Sequence, residues 1–406
     1  MTIDTAFDVV VVGGGPSGAT AAHDLASAGC RVALLDRMGR IKPCGGAIPP
    51  KLIEEFEIPE QLLVARITSA RMVAPSEAHV DIPIENGFVG MVDREVFDDW
   101  LRQRAASAGA VLLGGIFEDL VREADGDVTV LYRAAGDDAG GSLRRLRARA
   151  VIGADGAISR VARVAMPDVE RARCVFAYHE IIESPENTEN HVKEPARGFD
   201  SARCDVIYRG TTSPDFYCWI FPHGRTTSVG TGSASKGFAL REAVADVRRH
   251  YGLAGQRTVR REGAPIPMRP LRRWDDGRNV VLAGDAAGVV APASGEGIYY
   301  AMLGGRFAAE AAAQFVTTGD ARALRSARRQ FMRLHGRVFW VLGVMQYFWY
   351  RSDRRRERFV TICRDPDVQR LTFEAYMRKR LVRAKPFAHV RIFFKDLAHL
   401  LGLVRA

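Results

Sequence analysis

The chain has 406 residues, 47% of them hydrophobic and 26% charged, which excludes a disordered or fibrous class and leaves material for two or three lobes around sizeable cores. Its six cysteines, Cys30, Cys44, Cys174, Cys204, Cys218 and Cys363, form no C-x-x-C pair and no cluster with metal-ligand histidine spacing, so zinc and iron–sulfur centres lack support and free thiols are expected. The formal net charge of +10 is uneven: residues 351–406 hold 15 Lys+Arg against 6 Asp+Glu, or +9, which leaves 43 against 42 for all the rest.

Near the start, Asp4 precedes an apolar run with no basic leader or small-residue cleavage site, and a cytoplasmic protein is expected. Residues 7–12 are continuous, apolar and partly β-branched, suited to a strand buried on both faces. Gly13, Gly15 and Gly18 follow at G-x-G-x-x-G spacing. The first permits a tight turn, the second lets the backbone approach a pyrophosphate, and the third permits close helix packing. A small-residue helix over 19–28 then presents its N-terminal amides and dipole to phosphates. A second strand, 31–35, ends at Asp36, where a carboxylate takes a ribose hydroxyl. This dinucleotide unit does not by itself separate NAD from FAD.

Alternating stretches around 67–80 and 128–131 predict β-structure, and the Gly/Asp/Ala-rich segment 134–142 predicts an exposed hairpin turn. Strand-like runs at 174–182, 205–208, 216–221 and 227–230 predict an antiparallel sheet forming a second lobe. The first lobe resumes with a strand at 279–283, a turn opened by Gly284 and Asp285, then Gly295-Glu296-Gly297 and a helix over 298–315. Asp285 is placed to accept from ribityl hydroxyls, and the glycines bring backbone amides near a pyrophosphate and an isoalloxazine. The second signature therefore selects FAD. The expected class is α/β: a Rossmann-like FAD lobe (1–65, 92–165 and 271–325), an antiparallel-sheet substrate lobe (66–91 and 166–270), and a basic helical C-terminal region (326–406).

Within that last region, residues 338–350 are almost wholly apolar and aromatic, with Arg337 and Arg351 at the ends. Thirteen residues fall short of the ~20 that span a bilayer. Two readings stay open, a buried helix or a helix lying in a membrane interface with its arginines on anionic lipid. The basic, amphipathic stretch 391–406 favours the second, so peripheral contact with the cytoplasmic face of a membrane is expected. Nucleic acid is the alternative partner for such charge, but no DNA- or RNA-binding motif accompanies it.

Gly153-Ala154-Asp155-Gly156 and Gly284-Asp285 resemble the DG and GD motifs of the FAD-dependent hydroxylase and reductase superfamily, in order over roughly residues 5–320. Arg94 matches that superfamily's flavin-contacting arginine; its plainer reading is an exposed charge at a helix start. Two further segments, Cys44-Gly45-Gly46-Ala47 within 42–50 and Tyr217-Cys218-Trp219-Ile220-Phe221-Pro222, resemble the C-G-G and W-x-F-P segments of the geranylgeranyl reductase family. Ala47 departs from the C-G-G-G form of archaeal lipid reductases and is similar to the photosynthetic branch.

The resemblance implies an FAD-dependent reductase that converts a geranylgeranyl group to phytyl, on (bacterio)chlorophyll or on the free diphosphate. Cys44, Gly45, Gly46 and Ala47 would lie at the flavin, and Tyr217, Trp219, Phe221 and Pro222 at the prenyl chain. Strand alternation puts Tyr217, Trp219 and Phe221 on one face, where aromatic rings shield a developing carbocation; an ordinary sheet core is the competing reading. Cys44 is either the proton donor or a packing residue, and His223 is a weaker acid candidate expected in a loop. No second G-x-G-x-x-G unit is present, so the resemblance implies NADPH docking transiently, with reduced ferredoxin as the other donor. A monooxygenase of the same fold and an archaeal-type lipid reductase are the alternatives.

Overall fold

A computed structural model describes residues 6–85, 87–135, 143–185 and 198–379, and the chain divides into two compact units. The first comprises Met1–Lys42, Arg94–Cys174 and Pro265–Phe339. At its centre, strand Ala6–Val12 pairs in parallel with Val32–Asp36 on one side and Arg144–Gly153 on the other. Val280–Leu282 extends this parallel sheet beyond Arg144–Gly153, and the start of Val111–Arg122 extends it beyond Val32–Asp36. Val9, Val10 and Val11 are fully buried, as an apolar strand covered on both faces must be. The later part of Val111–Arg122 turns away to pair antiparallel with Val128–Ala134, which pairs in turn with Arg144–Gly153.

Helices Pro16–Ser27, Arg94–Ser107 and Ile298–Thr318 cover this sheet, the first packing against both others. The first begins three residues before its predicted start, because Pro16 sits at the head of the helix, where its missing N–H costs nothing. The third runs three residues past its predicted end and stops at Gly319, whose φ of 72° is left-handed. Most of the predicted hairpin turn, 136–142, lies outside the described residues.

The second unit comprises Pro43–Asp93, Val175–Ala264 and Trp340–Ala406. Its seven-stranded sheet has the order Thr258–Pro267, Cys174–Glu183, Thr226–Ser233, Cys218–His223, Arg203–Ile207, Ser69–Val73, His79–Pro83. The predicted antiparallel pairing is interrupted once, where Arg203–Ile207 runs parallel to Ser69–Val73. One face buries Ile182, Ile207, Cys218, Ile220 and Val229 beneath Val244 and Val247 of helix Leu240–His250. A small sheet of Ala47–Ile48, Val89–Val92 and Leu63–Ile67 lies beside it.

These units differ from the expected lobes at residues 166–174 and 265–270, which join the first unit, and in two larger respects. Residues 43–65 belong with the second unit, since Ala47–Ile48 and Leu63–Ile67 both pair with Val89–Val92. The C-terminal helices form no third unit, because the chain passes from one unit to the other within helix Arg325–Trp349. Among the described residues no helix is long and apolar enough to cross a membrane. The aromatic segment is not a plain buried helix: Phe339 and Trp349 are buried, whereas Trp340 is 70% and Tyr347 57% exposed. Residues 391–406 lie outside the described residues.

Candidate dinucleotide site and aromatic face

In the first unit the glycine turn is built by close backbone approach. Gly13 has φ 105°, and a Cβ there would lie 2.6 Å from the Ala154 carbonyl carbon. A Cβ on Gly18 would overlap the Gly13 carbonyl. Gly15 is the contrast, since a Cβ there meets nothing within 4 Å. The space beside the helix N-terminus is therefore open, the first turn carries no acidic residue, and the buried Ser17 Oγ has no hydrogen-bond partner among the described residues. An open cradle at a helix N-terminus suits a pyrophosphate. Asp36 stands as predicted at the end of the second strand, its Oδ1 accepting from the Gly14 N–H at 2.9 Å and its Oδ2 from Met38 N–H at 3.2 Å. Two carboxylate oxygens retain lone pairs for a ribose.

Around the second signature, Gly284 at φ 62° sets its α-carbon against Ser17, and Gly295 is also left-handed at φ 66°. Gly297 precedes helix Ile298–Thr318. Asp285 is nearly buried and forms an ion pair with Lys42, a residue that sequence reasoning missed in this role. Lys42 directly precedes the Pro-Cys-Gly-Gly segment, and that adjacency was the available signal.

The other predicted cofactor residues have mixed fates. Asp155 accepts from Ser159 Oγ and from the Arg160 and Val161 N–H groups. It thereby supports the start of helix Arg160–Ala165, whose N-cap is Ser159, and burial raises its carboxyl above the usual range against the pull of those bonds. Gly156 supplies the adjacent left-handed turn at φ 90°. Arg94 is not an exposed helix-start charge: it is buried and forms a two-point pair with Asp98, at 2.8 and 2.7 Å. No sequence pattern pointed to Arg102, whose Nη1 lies 3.4 Å from the Gly14 carbonyl and 3.9 Å from Asp36 Oδ2.

In the second unit, the Cys44-Gly45-Gly46-Ala47 segment lies against the strand that carries the aromatic residues. The Phe221 ring sits 3.2 Å from where a Cβ on Gly45 would be, and His223 Nε2 lies 2.6 Å from one on Gly46. Gly46, at φ 67°, donates its N–H to Cys44 Sγ at 3.4 Å, and Ala47 joins the ladder opposite Met91. His223 ends strand Cys218–His223 instead of lying in a loop. Burial pushes its imidazole below the ordinary range, opposed by hydrogen bonding to the Phe221 and Gly45 backbone.

Strand alternation holds for the aromatic row: the Tyr217 and Trp219 rings are 6.1 Å apart and those of Trp219 and Phe221 6.2 Å. Tyr217 precedes the strand itself and stacks on Phe216 at 4.2 Å. Cys218 and Ile220 point into the opposite core. Pro222 is buried and follows their alternation, so it does not share the aromatic face. Among the described residues, no three His, Cys, Asp or Glu side chains are grouped to hold a metal.

A glycine-turn βαβ with its terminal carboxylate, completed late in the chain by Gly284-Asp285, defines the FAD-binding α/β oxidoreductase fold. The family model described as pyridine nucleotide-disulphide oxidoreductase matches residues 7–186. Among solved structures, a geranylgeranyl bacteriochlorophyll reductase-like protein from Thermoplasma acidophilum superposes with TM-score 0.80 at 22% identity, covering 98% of each chain. The flavin-dependent brominase Bmp2 does so with TM-score 0.74 at 17% identity, covering 98% of this chain and 100% of that one. At such identities the likeness is one of fold.

Sequence relatives narrow the class. The geranylgeranyl diphosphate reductase of Rhodobacter capsulatus is 54% identical over 98% of both chains, and that of Synechocystis 36% identical over 97% of both. A digeranylgeranylglycerophospholipid reductase of Methanopyrus kandleri is 32% identical over 78% of this chain and 83% of its own. The chain belongs to the geranylgeranyl reductase family.

Proposed function

We propose that this protein saturates isolated double bonds of a geranylgeranyl group to give phytyl, on (bacterio)chlorophyll or on geranylgeranyl diphosphate, with FAD as cofactor and NADPH as reductant. The observation that carries the reading is the 54% identity with the Rhodobacter capsulatus geranylgeranyl diphosphate reductase across 98% of both chains. Bound FAD supplies a hydride equivalent. The residues for holding it are the Gly13, Gly15 and Gly18 turn, Asp36 for the ribose, and the Gly284 to Gly297 segment.

The chain's own residues then meet the demands of the substrate. An isolated trisubstituted alkene accepts hydride poorly unless a proton reaches its other carbon, and positive charge developing on the tertiary carbon must be kept from water. Tyr217, Trp219 and Phe221 offer aromatic faces for that charge and a smooth apolar wall along which the chain slides between three successive reductions. Cys44 and His223, which both adjoin the glycines at 45 and 46, are the candidate proton sources.

The exposed Trp340 and Tyr347, with Val344 between them on one helical stripe and Arg351 stacked 4.2 Å over the Tyr347 ring, support peripheral contact with an anionic membrane. Trp340→Ala combined with Tyr347→Ala is expected to lower co-sedimentation with phosphatidylglycerol vesicles about tenfold without changing flavin content. Equal binding by the variant refutes the contact.

The function is tested by anaerobic incubation of FAD-loaded protein with NADPH and either substrate, read by mass spectrometry. Stepwise gain of hydrogen pairs supports the reductase. Product formed only in air, with an added oxygen, replaces it with a monooxygenase.

A further inference from the structure

Strand Thr226–Ser233 lies between Cys174–Glu183 and Cys218–His223, and Gly230 stands directly opposite His179 on one side and Trp219 on the other. A Cβ on Gly230 would lie 2.5 Å from Trp219 Cε2 and 2.6 Å from His179 Cβ. Both large side chains thus occupy the space over the glycine. From there both reach Ser228, two residues along the same strand and on the same face. Trp219 Nε1 donates to Ser228 Oγ at 3.0 Å, and His179 Nδ1 lies 2.9 Å from the same oxygen. His179 Nε2 lies 3.0 Å from Glu262 Oε2, and Glu262 pairs in turn with Arg260.

Donor and acceptor capacities assign the protons. An indole nitrogen only donates, so Ser228 Oγ accepts from Trp219; an ionised carboxylate only accepts, so His179 Nε2 carries the hydrogen. The remaining hydrogen bond joins Ser228 Oγ and His179 Nδ1, so every member of the chain is satisfied. Glu262 stays ionised: burial raises its carboxyl, but bonds to His179 and Arg260 outweigh that and hold it below the usual range. Ser228 is fully buried and His179 is 3% exposed, so water does not compete for these bonds. A core tryptophan needs only one acceptor. Here an ordered chain ending in a carboxylate is spent on a single indole.

We propose that Ser228 and His179 are positioning residues for Trp219, fixing the plane of the indole and, by accepting its N–H, enriching the π-face presented to the prenyl chain. This rests on the geranylgeranyl reductase reading in its second half only; the orientation of the ring is independent of it. Ser228→Ala removes the acceptor, whereas Ser228→Thr keeps it and controls for folding.

The test uses full-length, FAD-loaded protein labelled with 5-fluorotryptophan, the Trp219 resonance being identified by its loss in Trp219→Phe. Ser228→Ala is expected to shift and broaden that resonance, and Ser228→Thr to restore it. In stopped flow without oxygen, Ser228→Ala is expected to slow oxidation of the reduced flavin by geranylgeranyl diphosphate about tenfold while leaving reduction by NADPH unchanged. In the Trp219→Phe background the same change is expected to have no further effect, because the phenyl ring has no N–H to hold. An unmoved fluorine resonance in Ser228→Ala, or an equal slowing with Phe at 219, overturns the proposal. Failure of unmodified protein to transfer electrons to either geranylgeranyl substrate sinks the functional reading instead, while the fluorine shift still decides the positioning.

Discussion

Replacing Gly230 by alanine sets two opposing effects against each other. Glycine in a strand costs conformational entropy, so Gly→Ala with room to spare stabilises by about 0.4–1 kcal/mol. At Gly230 there is no room: the new methyl would stand 2.5 Å from Trp219 Cε2 and 2.6 Å from His179 Cβ, where real contacts do not occur. Overpacking a core costs about 1–3 kcal/mol, and striking two buried side chains at once belongs at the upper end. The net expectation is a loss of about 2 kcal/mol, or roughly 4–8 °C in the melting temperature of a unit of this size. Gly255 is the control, because a Cβ there meets nothing within 4 Å and the backbone is not left-handed. Differential scanning calorimetry of the FAD-loaded variants decides the matter: Gly255→Ala should be neutral or slightly stabilising and Gly230→Ala clearly destabilising. If Gly230→Ala melts at or above the unmodified protein, the indole and imidazole are not held over that glycine and the reasoning fails.

Lys42→Ala leaves the nearly buried Asp285 without its cation, and FAD affinity measured by equilibrium dialysis is expected to fall about tenfold; unchanged affinity refutes a role for the pair in the site. Cys44→Ser tests the thiol as proton donor: with flavin still bound, oxidation by substrate should slow about 100-fold, and retention of most turnover assigns Cys44 to packing. His223 predicts a pH dependence with a definite sign. Its folded imidazole titrates below the ordinary value of 6.5, so between the two values the unfolded chain binds more protons and stability rises with pH. The contribution is full above about 6.5 and is lost as pH falls towards the folded value. Urea midpoints across this window should flatten in His223→Gln, and an unaltered slope would place the effect elsewhere.

What the sequence revealed follows the range of the forces involved. The glycine turn, its flanking strands and Asp36 were legible because steric rules act within about twenty-five residues, and the alternation of Tyr217, Trp219 and Phe221 because a strand has a period of two. Lys42 and Arg102 were not: each is a single basic residue whose meaning depends on a partner in a distant segment. The same holds for Ser228, His179 and Glu262, which meet only through strand pairings that no local pattern reports. For Arg94 the sequence left an exposed helix-start charge as the plainer alternative, and the burial that removes it depends on Asp98 one turn later. The boundary of the second lobe was misplaced because the short strand Ala47–Ile48 carries too little periodicity to be recognised before its partner, Val89–Val92, is known.

The interleaving of the two units has a consequence for biosynthesis. Each unit is assembled from three stretches of chain separated by stretches of the other, so neither is complete when the first half of the protein has left the ribosome. The parallel sheet waits for Val280–Leu282 to fill its edge, and at about 5–20 residues per second that wait lasts tens of seconds. Until then the apolar strand Ala6–Val12 and its neighbours have an open edge. How long that edge stays open during translation is therefore set by the order of segments along the chain and not by the stability of the finished fold.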